Sequence, residues 1–375
     1  IMPCFDSIAI VGEGINRLNR SIPSPSLASI SGGSTIHVLF WKGNGVLKPC
    51  NSGWKPKPES TASANAWGTK RSSEISDNLE RNRGMSLNIC VIGCGDRGID
   101  HARTWNRRFD ASVVSVFDVD ISRRESLADE VGATACDSFE AAILHEGVDA
   151  VSVCVPTAYH CEVTCCATDN ERHVFCEKPL ALDLEQGRKM LAAVEAAGVQ
   201  FMPCFQLRDS SPYPRQRELF NSGTLGSPVR LRFTDIREVR PKQAMHKRAL
   251  NGGVVVDMAC HMVDMLRYIT GEEPKQVYAS GNIFGQGKPR LSGVEDLAVD
   301  EANIDVSFTG GHQLQLYLNW GMPEQIVAHS EQMLIGPNGM ARNAGGNCEV
   351  VYGDHIESWP GPRPGTAVRV DRFVD

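Results

Sequence analysis

A glycine-rich turn constrains the fold of this chain more than any other feature of its sequence. The run VIGCGDRG places Gly93, Gly95 and Gly98 after a short apolar stretch and before a helix-like stretch. Gly93 would allow a tight turn, Gly95 would let a pyrophosphate approach the backbone, and Gly98 would let the helix pack on the strand. Phosphates would then lie at the helix N-terminus, among unpaired N–H groups. The spacing favours a dinucleotide-binding turn, with a plain glycine-rich turn as the alternative.

Charged residues near this turn indicate which dinucleotide it would bind. Asp118 lies in a second apolar run, 20 residues beyond the last glycine, where an acid accepts hydrogen bonds from an adenosine ribose and repels a 2′-phosphate. Arg123 and Arg124 could instead bind that phosphate, or lie on a solvated helix face. Asp96 and Arg97, inside the turn, are further cofactor-binding candidates. We therefore expect NAD as the cofactor, with NADP possible.

Composition excludes several classes of protein. The 375 residues are enough for two domains, and 42% hydrophobic with 22% charged residues is typical of a soluble globular chain. A net charge of −7 argues against nucleic acid as a partner. Thirteen cysteines show no disulfide-framework or metal-ligand spacing, which predicts buried thiols in a reducing, cytoplasmic compartment and no metal. Because no apolar run approaches the length that spans a bilayer, no membrane partner is expected.

The residue patterns divide the chain into three predicted segments. Residues 1–84 are rich in Ser, Pro and Gly, and we interpret them as a disordered extension: a targeting peptide for an organelle, or residues translated upstream of Met85. Residues 85–207 alternate between strand and helix patterns, which predicts an α/β Rossmann domain with a doubly wound parallel sheet. Residues 208–375 predict an α+β domain with an open-faced, largely antiparallel sheet.

Alternating strands in the second domain bear on its assembly. Residues 302–308 and 314–318 alternate between apolar and polar on either side of Gly310-Gly311, which predicts a hairpin with a two-residue turn. The open face of such a sheet often becomes a subunit interface. We therefore expect a homodimer or homotetramer that forms through this sheet.

A lysine is predicted at the edge of the first sheet. Glu177-Lys178-Pro179 follows the strand pattern of residues 173–176, at the place where a nicotinamide would lie. A lysine there can hydrogen-bond a substrate oxygen and stabilise developing alkoxide charge. The alternative is an ordinary solvated loop.

The helix pattern of residues 252–272 carries three ionisable groups on one face. Asp257, His261 and Asp264 recur at i, i+4 and i+7 in an otherwise apolar segment. The stripe is either a structural ion-pair network or one wall of a functional site. In a site, His261 would accept a hydroxyl proton, and Asp257 would orient it or bind substrate.

Together these elements resemble a known family. VIGCGDRG, Asp118, VSVCVPTAYH, EKP and the Gly-Gly-x3-Asp-x3-His-x2-Asp helix, in this order, are similar to the glucose-fructose oxidoreductase, inositol dehydrogenase and MocA family, from about residue 86 to the C-terminus. The resemblance implies a Rossmann domain, an open-faced mixed or antiparallel sheet domain, NAD or NADP between them, and dimers or tetramers.

The resemblance also implies residue roles. The family's catalytic lysine falls on Lys178, which would also contact cofactor, and its substrate-site acid and histidine fall on Asp257 and His261. Further positions near the cofactor, or at the start of the following helix, are implied at Pro156, Thr157, His160 and Glu177. Such proteins usually close with a helix after the last strands, and this chain stops at RFVD, where that helix would start. We therefore expect a C-terminally truncated chain with incomplete packing against the Rossmann domain.

The expected activity is NAD(P)-dependent oxidation or reduction of a secondary alcohol in a sugar, a cyclic polyol or a related small polar molecule. Arg208 is a further substrate-binding candidate. A predicted loop at 235–251 would set specificity through basic residues that bind an acidic sugar or are simply solvated: Arg237, Arg240, Lys242, His246 and Lys247. The alternatives are an NAD-dependent glycosidase, a non-catalytic dinucleotide-sensing regulator, and a biliverdin-reductase-like enzyme with a larger flat substrate.

Overall fold

The computed structural model describes residues 86–361 and 366–374, which contain two sheets. The first sheet has six parallel strands in the order β3-β2-β1-β4-β5-β6. These strands are β1 (Leu87–Ile92), β2 (Ala111–Phe117), β3 (Thr134–Ala135), β4 (Ala150–Val153), β5 (His173–Glu177) and β6 (Phe201–Cys204). The strand order reverses between β1 and β4, and ligands of such sheets bind at the carboxyl ends of strands beside that reversal. The predicted Rossmann-type sheet is confirmed.

Helices on both faces connect these strands. They are α1 (Asp96–Asn106), α2 (Ile121–Val131), α3 (Phe139–Ile143), α4 (His160–Asp169) and α5 (Leu184–Ala197). Local signals set their ends: the Asp183 side chain accepts the N–H of Gln186 at the start of α5, and Gly198 ends it in the left-handed conformation. These two signals therefore set the bounds of α5.

The second sheet has eight strands in the order β14-β13-β12-β11-β7-β10-β9-β8. They are β7 (Arg230–Glu238), β8 (Pro274–Asn282), β9 (Glu301–Phe308), β10 (Gln313–Met322), β11 (His329–Gly336), β12 (Gly339–Ala344), β13 (Asn347–Tyr352) and β14 (His355–Pro360). Only β7 and β10 pair in parallel; the other pairings between these strands are antiparallel. The predicted largely antiparallel sheet is confirmed, and assembly of copies through its open face stays a prediction.

The turn between β9 and β10 differs from its prediction. The N–H of Phe308 donates to the carbonyl of His312 over 2.9 Å, so residues 309–311 form a three-residue loop rather than a two-residue turn. Gly311 has φ +84°, the left-handed conformation that such three-residue hairpins use at their last position. The two-residue prediction was wrong because Gly310 does not occupy the left-handed position.

Three helices accompany the second sheet: α6 (Tyr213–Asn221), α7 (Arg248–Asn251) and α8 (Gly253–Thr270). The stretch Arg248–Thr270 is long and apolar enough to cross a membrane by length and composition, contrary to our reading of the sequence. However, Val254, Met262 and Leu266 of α8 are buried in the same core as Leu316 of the sheet. Its hydrophobicity is thus explained by the core of the second domain.

A last helix, α9 (Thr366–Val374), returns to the first domain. Val370 is fully buried there, and the Phe373 ring packs edge-on against Trp105, with centroids 5.9 Å apart. Arg369 and Arg372 form ion pairs with Asp209 at 2.6 and 2.8 Å. The expectation that the closing helix would start at RFVD was wrong, because α9 already begins at Thr366. Whether the chain is C-terminally truncated stays a prediction.

Candidate active site

The glycine turn after β1 has the shape that a pyrophosphate needs. Gly93 has φ +95°, and a Cβ there would lie 2.7 Å from the backbone carbonyl carbon of Cys154. A Cβ on Gly98 would lie 1.7 Å from the Gly93 carbonyl oxygen, so α1 crosses the turn in direct contact. A Cβ on Gly95 would meet no described atom within 4 Å, and within the described chain α1 starts there without a side-chain cap. The open N-terminus of α1 is therefore accessible to phosphate.

Asp118 lies beside this turn. Its Oδ2 accepts the N–H of Cys94 over 2.7 Å, and its Oδ1 accepts the N–H of Asp120 over 2.8 Å. Each carboxylate oxygen can accept a further hydrogen bond, which suits ribose hydroxyls. Arg123 forms an exposed ion pair with Asp120, and Arg124 pairs with Asp137, so each predicted phosphate-binding guanidinium already has an acidic neighbour.

Arg97 does not extend towards the phosphate position. Its guanidinium lies 2.6 Å from Oε1 of Glu177, and it also hydrogen-bonds Thr366 of α9. Glu177 is buried and accepts from Nε2 of His101 over 3.0 Å. Burial would raise the pKa of Glu177, but His101, Arg97 and Lys178 together hold that pKa well below its usual range. Arg97 and Glu177 therefore form an ion pair in which only the carboxylate is buried.

The residues after β4 bind other parts of the protein. Thr157, which follows Pro156 in a short 3₁₀ segment, uses its backbone N–H and its hydroxyl to contact Oδ1 of Asn251 over 2.9 and 3.2 Å. His160 is buried, with Nδ1 2.9 Å from the carbonyl of Pro179 and Nε2 2.9 Å from that of Val155. In these contacts the side chains link the loops around the crevice.

Lys178 and Asp257 meet where the two domains join. The Lys178 Nζ lies 3.0 Å from Oδ1 of Asp257 and 3.2 Å from the Asp257 carbonyl oxygen. The side chains are 13% and 16% exposed, so a small molecule can reach them from one side. Burial alone would lower the pKa of Lys178, but the Asp257 carboxylate outweighs it and raises that pKa. The ammonium group therefore remains charged at neutral pH.

His261 lies one helical turn beyond Asp257 on α8. It is 3% exposed, and its Nδ1 has no hydrogen-bond partner in the part of the chain that the structure describes. Burial and, next, the charge of Lys178 hold the pKa of His261 well below its usual value. The imidazole is therefore neutral at neutral pH.

Asp264, the third ionisable residue of the predicted stripe, pairs with Arg208. Asp264 is buried and accepts hydrogen bonds from Nε and Nη2 of Arg208, the first over 2.8 Å. This bidentate pair joins α8 to the segment after β6. The stripe therefore divides: Asp257 pairs with Lys178, whereas Asp264 pairs with Arg208, which was predicted as a substrate ligand.

The predicted specificity loop at 235–251 is largely ordered secondary structure. Asp235 belongs to β7, is fully buried, and pairs with Arg237 over 2.8 Å. The imidazole of His246 accepts the N–H of Arg240 over 2.9 Å, and burial lowers the pKa of His246 to about 4. The loop prediction was wrong because the strand continues to Glu238, and a 3₁₀ turn and α7 occupy much of the rest. Lys247 lies between that turn and α7, in an isolated bridge to Leu297.

Some residues under the site were missed from the sequence. His101 of α1 is fully buried, and its Nδ1 lies 2.8 Å from Oγ of Ser152 in β4. The spacing of Gly98, His101, Ala102 and Trp105 on α1 was the available signal, since it places all four on one buried helix face. His101, Glu177 and Cys204 offer ligand atoms within 4.8 Å of one another, but Arg97 already pairs with Glu177, so we assign no metal to them.

Two family models match most of the described chain. Residues 87–205 match the model described as "Oxidoreductase family, NAD-binding Rossmann fold", and residues 213–342 match the "GFO/IDH/MocA C-terminal domain". Myo-inositol 2-dehydrogenase of Thermotoga maritima is 32% identical over 57% of this chain, and D-glucoside 3-dehydrogenase of Escherichia coli is 31% identical over 56%. In both comparisons the matched part is 64% of the relative's own length.

Solved structures show the same fold. The structure of GenD2 from gentamicin A biosynthesis, in complex with NAD, superposes with a TM-score of 0.66 and 22% sequence identity. The superposition covers 78% of this chain and 86% of that chain. At this level of identity the similarity supports the arrangement of the two sheets.

Proposed function

Because this chain belongs to the GFO/IDH/MocA family of oxidoreductases, we propose that it transfers hydride between NAD and a secondary alcohol of a sugar, a cyclic polyol or a related small polar molecule. The observation that carries this proposal is the Lys178–Asp257 ion pair at 3.0 Å, one helical turn from the neutral His261. Relatives named for inositol and glucoside substrates support the substrate class.

The residues of the glycine turn fit a bound dinucleotide. The open space over Gly95 and the uncapped start of α1 leave room for a pyrophosphate, and Asp118 offers two acceptor oxygens beside them. When bound, the nicotinamide ring would supply or accept the hydride. The protein itself has to bind the substrate, orient it and move one proton.

Each polar group of the site has a task in this proposal. The charged Lys178 ammonium donates a hydrogen bond to the substrate oxygen and stabilises negative charge that develops there. Neutral His261 accepts the hydroxyl proton, for which its unpartnered Nδ1 is available. Asp257 keeps Lys178 in place through the ion pair and can accept a hydrogen bond from a neighbouring substrate hydroxyl. The Arg208–Asp264 pair joins α8 to the segment after β6.

A substrate panel tests the proposal. Purified protein would be incubated with inositols, aldoses, glucosides and uronates in the presence of NAD or NADP, and the absorbance of reduced nicotinamide would be followed. We expect net NADH formation with at least one polyol or sugar. Release of an aglycone without net NADH would instead identify an NAD-dependent glycosidase. NAD binding without turnover across the panel would favour a dinucleotide sensor.

The choice of NAD should depend on Asp118. We expect Asp118→Ala to lower the ratio of kcat/KM with NAD to kcat/KM with NADP by about 100-fold, because the variant loses ribose acceptors and the repulsion of a 2′-phosphate. Asp120→Asn, in the same turn, is the matched control; asparagine also caps helices well, so this ratio should stay within about twofold. An unchanged ratio in the Asp118 variant would show that this carboxylate only orders the turn.

A further inference from the structure

A chain of buried hydrogen bonds runs from the middle of the first sheet to Lys178. Nε1 of Trp105 donates to Oγ of Ser152 over 3.4 Å, and this oxygen lies 2.8 Å from Nδ1 of His101. Nε2 of His101 lies 3.0 Å from Oε1 of Glu177, and the other Glu177 oxygen accepts the backbone N–H of Lys178 over 3.1 Å. The chain therefore ends on the residue whose amine faces the substrate.

The partners fix the proton positions in this chain. The ionised Glu177 carboxylate can only accept, so the proton of a neutral His101 must lie on Nε2. Nδ1 is then an acceptor, and the Ser152 hydroxyl can donate to it while accepting from Trp105. Nδ1 of His101 also lies 3.2 Å from Sγ of Cys154. The contacts on both ring nitrogens hold the imidazole in place and favour one orientation of the Glu177 side chain.

Arg97 alone cannot restrict the orientation of the Glu177 side chain as His101 does. The Arg97 side chain is 41% exposed and also contacts Asp100 and Thr366, whereas the His101 side chain is fully buried. A fully buried imidazole with contacts on both ring nitrogens restricts its neighbour more than a half-exposed guanidinium does, because fewer alternative rotamers are open to it. His101 is thus the rigid support of the carboxylate that binds the Lys178 backbone.

We propose that His101 is a positioning residue for Lys178, acting through the Glu177 carboxylate. This inference rests on the proposed function, since it assigns Lys178 a substrate-facing role. A displacement of about 1 Å at a reacting group can cost on the order of 100-fold in rate. Loss of the His101 hydrogen bond is therefore expected to reduce kcat more than it changes cofactor binding.

Two amide substitutions separate positioning from simple packing. Glutamine at 101 places an N–H₂ group where Nε2 lies and can still donate to Glu177, whereas asparagine reaches only the position of Nδ1. We expect His101→Asn to lower kcat by about tenfold or more, with KM for NAD within about twofold, and His101→Gln to stay within about threefold of wild type. Equal losses in both variants, or none in either, would overturn the proposal.

Two further measurements report on the ionisation of the Lys178 amine. If Glu177 turns away from Lys178, the ammonium loses a nearby negative charge, so the alkaline limb of the kcat profile should move to lower pH in His101→Asn and not in His101→Gln. Without any substrate, Lys178 in His101→Asn should also react faster with trinitrobenzenesulfonate, measured by mass spectrometry. This second measurement stands even if the panel shows no turnover, so the two proposals fail separately.

Thermal unfolding of the same variants checks that a loss of rate is not a loss of folding. His101→Asn should unfold at a somewhat lower temperature than His101→Gln, because asparagine leaves the buried Glu177 carboxylate without this donor. If His101→Asn does not fold, Glu177→Gln removes the negative charge with little change of shape. We then expect the same shift of the alkaline limb and the same faster labelling of Lys178. An unshifted profile together with unchanged labelling in that variant would contradict the proposal.

Discussion

Lys178→Ala is expected to lower kcat by about 100- to 1,000-fold while the dissociation constant for NAD stays within about twofold, as for loss of a donor that stabilises an oxyanion. The Lys178 Nζ contacts Asp257, and neither group belongs to the glycine turn that would bind the phosphates. The loss should therefore fall on the chemical step. Stopped-flow turnover and calorimetric NAD titration measure the two quantities separately.

Lys178→Met is the matched variant for this experiment. Methionine keeps much of the apolar stem, which packs against its surroundings, and removes only the charge and donors. We expect it to be as inactive as the alanine variant and more stable to heat. Because either substitution leaves Asp257 without its cation, Asp257→Asn on the same background should recover stability but not turnover. A parallel loss of NAD affinity in both single variants would make Lys178 a structural residue.

Gly98→Ala is expected to remove dinucleotide binding and to lower the free energy of unfolding by about 3 kcal/mol or more, the scale of severe overpacking. The added methyl would lie 1.7 Å from the Gly93 carbonyl oxygen, which is backbone and cannot rotate away. Either α1 or the turn must move, and both would contribute to the phosphate site. Urea unfolding and fluorescence titration with NADH measure the two effects.

Gly95→Ala, in the same turn, is the control for Gly98→Ala. Its new methyl meets no described atom within 4 Å, and its φ of −78° is allowed for alanine. Stability should remain close to wild type, while NAD affinity falls by about tenfold or more because the methyl fills the space where a pyrophosphate would approach. Similar unfolding curves for the two variants would show that α1 does not need close contact with the turn.

Much of the structure of the first domain could be predicted from residues that are close together in the sequence. The glycines of the turn, and Asp183 and Gly198 around α5, act on their own neighbours, so their effects can be deduced from a short window of sequence. The pattern of residues 252–272 likewise predicted α8 and its polar face. The pairing of that face could not be predicted, because Arg208 lies 56 residues from Asp264 in the chain and long-range docking decides which acid it meets.

The contact between His101 and Glu177 could not be predicted from the sequence for a similar reason. A histidine in an amphipathic helix gives no indication of its partner, and Glu177 lies 76 residues from His101. Arg97 was predicted to contact the cofactor because it lies in the fingerprint, and the structure pairs it with the buried carboxylate of Glu177 on β5. Which of the predicted residues pair with one another depends on tertiary contacts, and a short window of sequence does not contain them.

The return of α9 to the first domain has a consequence for biosynthesis. The ribosome makes every strand of the second sheet before it makes Thr366–Val374, so the surface that later receives Val370 and Phe373 stays uncovered during translation. The domains of a two-domain chain usually fold in the order of their synthesis. Here the first domain can complete its core only after α9 has been made. Nascent chains should therefore depend on chaperones for longer than the position of the Rossmann sheet alone would suggest.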